Sequence, residues 1–528
     1  MPGPEDEATK QGNLLVDKGD FDGAIAAYTE AICLNPQNAQ PYSSRGEAYL
    51  RKGEFDKAIA DYKEAIQLDP MLAEAYCMRS SFRGWSRDFD KAIADCTEAI
   101  RLDPHSAVAH CVRGMVYGGN GDFDKAIVDC TEAIRLNPKL SEAFRLRAIA
   151  YENTSEFDRG IADCTESIRL NPQNAGTFWE RGHLYNKKGE FDQAIADFTE
   201  SIRLDPQNAP VHAGRAYAYS KKGELDKAIA GYTEAIQIDP KDTLAYYNRG
   251  LTYGKKGDHD KAIADFNEAI RLNPNDAEAY YSRGCEYFWK GDRDKEIADY
   301  TEAIRLNPKL RQAFSARALA SINKAEFDKA IADYTEAAKL DPQQAQVFCG
   351  RGFSYGAKGD RDQAIADFNE AIRLNPNDAG AYYYRGCEYG KQGDHDKAIA
   401  DYTEAIRLNP NDAEAYYSRG YEYGKQGDHD KAIADYTEAI RLNPMYAEAY
   451  HSRGSEYREQ GDHDKAINDY TAAIRINSKN GYTLVAAIRT GRKGTKPTPK
   501  PISPKPKNWD TKRAYSDRGC TDGKSGCT

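Results

Sequence analysis

The sequence predicts an all-α solenoid built from one helix-turn-helix unit repeated fourteen times. Two observations carry this. Proline recurs every 34 residues from Pro36 to Pro444, thirteen times, and Ser478 stands where a fourteenth would fall. Within each period, apolar and small residues fall at helical spacing in two segments. A fixed period without insertions marks one structural unit stacked many times. Each unit buries its apolar face only against its neighbours, so the chain should expose long surfaces and no single deep catalytic pocket.

The period divides the chain of 528 residues into a stub at 1–4, fourteen repeats at 5–480, a possible capping helix at 481–491 and a tail at 492–528. Residues 413–446, AEAYYSRGYEYGKQGDHDKAIADYTEAIRLNPMY, typify a repeat. The spacing predicts a first helix over roughly 413–425 and a second over roughly 430–442. Gly427 permits the turn between them, and Asp428 or Asp430 caps the second helix. Asn443 is expected to take a left-handed cap conformation, and Pro444 cannot continue a helix. Gly420, Ala432 and Ala439 recur through the array and mark where helices approach closely, with Tyr416, Tyr423, Ile433, Tyr436 and Ile440 filling between them. Cys96, Cys130 and Cys164 occupy a position that other repeats give to Tyr232, Phe266 or Tyr300, and read as small core residues.

The order aromatic, Gly, Tyr, Ala, aromatic, Pro at Tyr416, Gly420, Tyr423, Ala432, Tyr436 and Pro444, in a 34-residue unit, resembles the tetratricopeptide repeat (TPR) family, and the likeness covers all fourteen repeats. The resemblance implies a right-handed superhelix whose inner groove is lined by the first helix of each pair. One departure is systematic. The family usually places Leu before the repeat glycine, whereas every repeat but the first here has Arg, as in Arg45, Arg249 and Arg419. Nearly every repeat also carries an Asp in its second helix, such as Asp61, Asp265 and Asp435; repeat one has Gln11 and Ala27 instead, and repeat seven keeps Arg215 but has Gly231. These residues are expected to form an Arg–Asp ladder that fixes stacking register.

By the same resemblance, ligand contacts fall on the inner face of the first helices. The candidate groove residues are Trp179, His183, Tyr217, Tyr247, Tyr281, Phe288, Trp289, Phe353, Tyr383, Tyr384, Tyr417 and Tyr421. Aromatic side chains with a polar edge anchor interfaces at low entropic cost. Tyr246, Tyr280, Tyr382 and Tyr416 mark the core instead. Lys187, Lys221, Lys255, Lys391 and Lys425 rim the same side. In repeat nine, Glu296 replaces the small Ala of other repeats, so it either tilts outward or loosens the repeat. Some family members hold chaperone C-termini in a clamp of Lys and Asn; the comparable positions here carry Ser43, Cys77, Cys111, Tyr247 and Tyr281. An Asn ladder known in one glycosyltransferase family is missing apart from Asn248.

No motif asks for a catalytic residue, a cofactor or a metal. His259, His395, His429 and His463 share one position in the inter-helix turn, a whole repeat apart, and read as turn residues without chemistry. The segment Gly519–Ser525 is one residue short of a phosphate-binding loop. The acidic N-terminus and the absence of a long apolar run argue against a signal peptide and a membrane span, which gives a cytoplasmic expectation. The chain has net charge -10, yet residues 481–528 hold 11 Lys+Arg against 3 Asp. An acidic body thus carries a basic, Pro-rich tail that is expected to be disordered. The body repels phosphate, which argues against nucleic acid as the main ligand and leaves only the basic tail to touch it. The expectation is a non-enzymatic scaffold for protein or peptide partners, of undetermined oligomeric state. The alternative is a targeting or regulatory subunit of an enzyme complex acting through its tail.

Overall fold

The computed structural model describes residues 3–85 and 87–479; the expected capping helix and basic tail lie outside them. Among the described residues the chain forms 28 α-helices joined as fourteen hairpins, an all-α tandem array. It divides at Thr252/Tyr253 into two compact units. No described helix is long and apolar enough to cross a membrane.

The local chemistry of repeat thirteen explains the unit. Its helices run Ala413–Gln426 and His429–Leu442, within a residue of the sequence expectation. Gly427 ends the first helix at φ 80°, and the Asp428 carboxylate then accepts the backbone N–H of Lys431 at 3.3 Å as N-cap. The same left-handed turn recurs in all fourteen repeats. Eleven use glycine, while Arg87, Ser155 and Ala325 adopt φ of 60°, 63° and 58° at the equivalent place. The stacking of the array therefore dictates the turn even where a Cβ opposes it. At the other end the expectation needs correction. Asn443 is extended, φ -132° and ψ 89°, not left-handed. Its side chain instead accepts the N–H of Met445 at 3.1 Å, and Asp69 does the same for Met71 at 2.9 Å, which explains why Asp and Asn interchange before the proline.

Small residues sit where backbones meet. Ala432 and Ala439 are fully buried beside Tyr436. A Cβ on Gly420 would lie 3.1 Å from the Tyr436 ring and 3.2 Å from the Ala432 carbonyl oxygen, so glycine is needed for this approach. Cys96, Cys130 and Cys164 are fully buried core residues, and burial pushes the Cys96 thiol up to about 12.

The Arg–Asp ladder exists, with a division of labour that spacing alone did not reveal. In eleven repeats the guanidinium grips the aspartate of its own repeat through two nitrogens, for example Arg45 Nε and Nη2 to Asp61 at 2.8 Å each, and Arg419 to Asp435 at 2.8 Å each. That fork ties the two helices of one hairpin. The remaining nitrogen, Nη1, donates to the second helix of the preceding repeat. It reaches Thr29 from Arg45 at 3.0 Å, Asn267 from Arg283 at 2.6 Å and Thr403 from Arg419 at 3.1 Å. Register between repeats rests on this third donor rather than on the ion pair. The side chains of Arg283 and Asp299 are only 17% and 9% exposed. Burial pushes the Asp299 carboxyl up, and the Arg283 fork opposes that shift. Arg79 breaks the pattern because Lys63 replaces the threonine ahead of it; Arg83 joins it on Asp95 at 2.7 Å.

Repeat seven solves the same contact differently. Ala216 occupies the usual glycine position and Gly231 the usual aspartate position. A Cβ on Gly231 would stand 3.0 Å from that of Ala216, so the two substitutions exchange volume across the helix pair. Arg215 turns to Glu234 at 3.1 Å, and its Nε has no partner among the described residues. Gly231→Asp alone is expected to crowd Ala216. Combined with Ala216→Gly it should rebuild the fork, and a double-mutant cycle should show favourable coupling of about 1 kcal/mol or more. At the strained turn of repeat ten, Ala325→Gly should stabilise by about 1 kcal/mol. That gain is read as a raised unfolding midpoint with slower amide exchange at the start of Phe327–Leu340.

Candidate functional site

The first helices present the candidate aromatics in two classes. Trp179, His183, Tyr217, Tyr247, Phe353, Tyr384 and Tyr421 are partly buried, and Trp289 is 37% exposed. Tyr281, Phe288, Tyr383 and Tyr417 are instead buried and packed into the repeat cores. Tyr281 lies against Tyr300 at 5.8 Å between ring centroids, Tyr383 against Tyr402 at 5.7 Å and Tyr417 against Tyr436 at 5.5 Å. Each of these three tyrosines packs between the second helix of its own repeat and the first helix of the next, against Ala313, Ala415 and Ala449 in turn, whereas Tyr247 at the same repeat position is only partly buried. Tyr246, Tyr280, Tyr382 and Tyr416, expected in the core, are only partly buried, with guanidiniums 5.4–5.7 Å from their rings in the cases of Arg283 and Arg419. Lys221 and Lys425 lie over Tyr217 and Tyr421 at 5.1 and 5.2 Å, so part of the lysine rim is engaged with the aromatics beside it.

The turn histidines have a role that their spacing concealed. His259 Nδ1 meets Glu286 of the next repeat at 2.6 Å, and His395–Glu422 and His429–Glu456 repeat this at 2.6 Å. Each glutamate fits because the preceding repeat has glycine opposite it. Cβ atoms on Gly254, Gly390 and Gly424 would fall 2.3, 2.5 and 2.7 Å from the carboxylates. The signal was present in the sequence as a Gly–His pair in one repeat followed by Glu in the next. It was invisible when repeats were compared position by position, because the three residues belong to two units.

One site in this series is incomplete. Gly356 makes room for Glu388, whose Oε1 would lie 2.7 Å from an added Cβ, but Arg361 replaces the histidine and is exposed. Glu388 is buried; Lys391 donates to its Oε1 at 2.6 Å, and its Oε2 has no partner among the described residues. This carboxylate lines a cavity of about 170 Å³ formed by the first helices of repeats eleven to thirteen, Ala345–Lys358, Ala379–Gln392 and Ala413–Gln426. Phe353, Tyr384 and Tyr421 form its walls, with Phe368 and Tyr402 of the second helices beneath. Tyr384 stacks on Phe368 at 6.1 Å and meets Phe353 edge-on at 5.5 Å.

Repeat nine is also resolved. Glu296 does not tilt outward; it is fully buried and bonded to Arg293 Nη1 at 2.7 Å. Arg293, standing where four other repeats have histidine, lies 4.6 Å from the Phe288 ring and supplies the buried glutamate with its partner. Trp289 stacks on His259 at 6.2 Å and 11°. Among the described residues no cluster of His, Cys, Asp and Glu could hold a metal ion.

In the N-terminal unit, the first helices of repeats five and six, Ser141–Asn153 and Ala175–Lys188, bring charged groups together. His183 Nε2 lies 3.2 Å from Glu152, and Arg145 Nη1 lies 3.7 Å from the buried Glu180. Burial pushes the Glu180 carboxyl up to about 7 against the pull of Arg145.

This chain belongs to the tetratricopeptide repeat family. Tetratricopeptide repeat models match residues 107–140, 243–276, 345–378, 413–446 and 447–480. Further TPR models match 12–53, 46–79, 182–223, 216–257 and 386–427, then 368–400, and 277–310 with 312–344. Six of these matches coincide with the 34-residue phase set by the prolines. The family's fold typically mediates protein–protein interaction, and the matching models are all repeat models. No curated protein matches the chain. Among solved structures, the chain is similar to MamA at 32% identity, covering 30% of this chain and 94% of that one, TM-score 0.30. It is similar to YrrB, described as a TPR protein with an unusual peptide-binding site, at 24% identity over 35% and 95%, TM-score 0.32. It is also similar to yeast Tom70 at 18% identity over 84% and 98%, TM-score 0.35.

Glu180 gives a pH signature. Its folded-state value is raised above the ordinary 4.5, so between about 4.5 and about 7 the folded chain holds a proton that the unfolded chain has lost. The stability this group contributes is present below that window and falls as pH rises through it. Glu180→Gln should therefore have little effect at pH 5 and should stabilise at pH 8, by at most about 3 kcal/mol. Thermal unfolding of both proteins across this range checks it.

Proposed function

We propose that this chain is a non-catalytic cytoplasmic scaffold that takes peptide segments of partner proteins along the face of its first helices. The observation that carries the reading is the recurrence of partly buried aromatics on that face, within each unit, with cations laid beside them. Such side chains offer large contact area at low entropic cost, and repeated contacts sum through effective concentration. A second reading rests on charge. The basic segment 481–528 follows an acidic repeat body, which suits a tail that acts as the effector of a regulatory subunit.

Capture of partners from cell lysate, read by mass spectrometry, separates the two. A face variant should avoid the buried tyrosines, so Tyr217→Ala, Tyr247→Ala and Trp289→Ala are combined; a second protein ends at Gly491. Partners that depend on the face should fall at least tenfold with the triple variant and survive truncation. Partners lost only on truncation would move the function to the tail.

A further inference from the structure

We propose that the cavity of repeats eleven to thirteen is a receptor for one basic side chain, lysine or arginine, of a partner's peptide. This rests on the scaffold reading and names the ligand chemistry of one place on that face.

The array supplies its own control. In three neighbouring-repeat pairs the glutamate, buried at Glu286 and Glu422 and partly buried at Glu456, meets a histidine Nδ1 on its Oε2, from His259, His395 or His429, at 2.6 Å each. Glu388 occupies the same position behind the same kind of glycine, yet its Oε2 has no partner among the described residues and the residue is 5% exposed. An ionised carboxylate oxygen so placed is costly without a donor. Arg361, which stands where the donor histidine would be, is exposed. The geometry therefore points to a donor supplied by a ligand.

The cavity's shape and charge select the donor. Its volume of about 170 Å³ has room for a long side chain. Five aromatic rings line it, at Phe353, Phe368, Tyr384, Tyr402 and Tyr421. Ring faces attract cations, and the apolar walls suit the methylene stem of a long basic side chain. Two carboxylates, Glu388 and Glu422, against the single ammonium of Lys391, leave the lining net negative. An acidic peptide group would meet two carboxylates and one ammonium that is already bonded to Glu388.

The test is saturation-transfer NMR on the full chain with blocked pentapeptides that carry lysine, arginine, norleucine or glutamate at the centre of a glycine–serine frame. Lysine and arginine methylene protons should receive saturation, while norleucine, with the same stem and no charge, gives less than a fifth of the signal and glutamate none. Two variants remove the site by opposite routes. Glu388→Gln removes the charge, and Arg361→His supplies the imidazole found in the sister repeats; both should reduce the lysine signal to the norleucine level. Equal signals from norleucine and lysine would overturn the proposal, as would a lysine signal unchanged in both variants. A lysine signal that appears only in the chain ending at Gly491 would assign the cavity to the chain's own tail and overturn its assignment to a partner. Because Tyr217, Tyr247 and Trp289 lie outside the cavity lining, the two experiments fail separately. Partner capture lost in the triple variant with peptide signals indifferent to Glu388 would overturn this inference alone.

Discussion

The planar guanidinium at the seventh position of the repeat is the constraint on which the array depends. Two of its nitrogens close the hairpin on an aspartate and the third reaches back to the previous hairpin, as Arg147 does with Asp163 and Thr131. A lysine could satisfy one of these roles, not all three, because only a rigid fork presents donors in two directions at once. The arginine therefore couples folding within a repeat to stacking between repeats. Buried ion pairs are seldom a large net source of stability, and here the pair closes the hairpin while the third nitrogen makes the bond that crosses to the preceding one.

The fold was legible because every repeat reports the same physics. Proline, turn glycine and small helix-contact residues recur so often that one-repeat exceptions do not blur the period. Burial on the candidate face was less legible. Tyr383 and Tyr384 are adjacent and chemically identical, yet one packs under the next repeat while the other lines a cavity. A rotation of about 100° per helical residue separates them, and only the packed neighbours fix where each one points. The glutamate series was hidden for a different reason. Gly390, His395 and Glu422 form one contact but straddle a repeat boundary, so a repeat-by-repeat reading assigns its parts to different units.

Departures from the repeat come as matched sets. Ala216 with Gly231 exchanges volume, and Arg293 with Glu296 exchanges charge. In each case the partner residue lies within contact, so the core stays packed and its charges stay paired. Glu388 with Arg361 is the exception, since the glutamate keeps its place while the arginine faces solvent. Where other irregular pairs restore a balance, this one leaves it unfinished, and for that reason it stands apart from the ordinary variation of the array.

The left-handed turn has a consequence for how such a chain can lengthen. All fourteen turns share one backbone conformation, while the His–Glu contacts that only some repeats have run across the boundary between hairpins. A recombination that inserts or deletes a whole period keeps each cross-boundary contact only if the junction joins matching neighbours. The heritable module is then the junction between two hairpins rather than the hairpin itself, and copies can accumulate most freely where successive junctions are alike, as between repeats twelve, thirteen and fourteen.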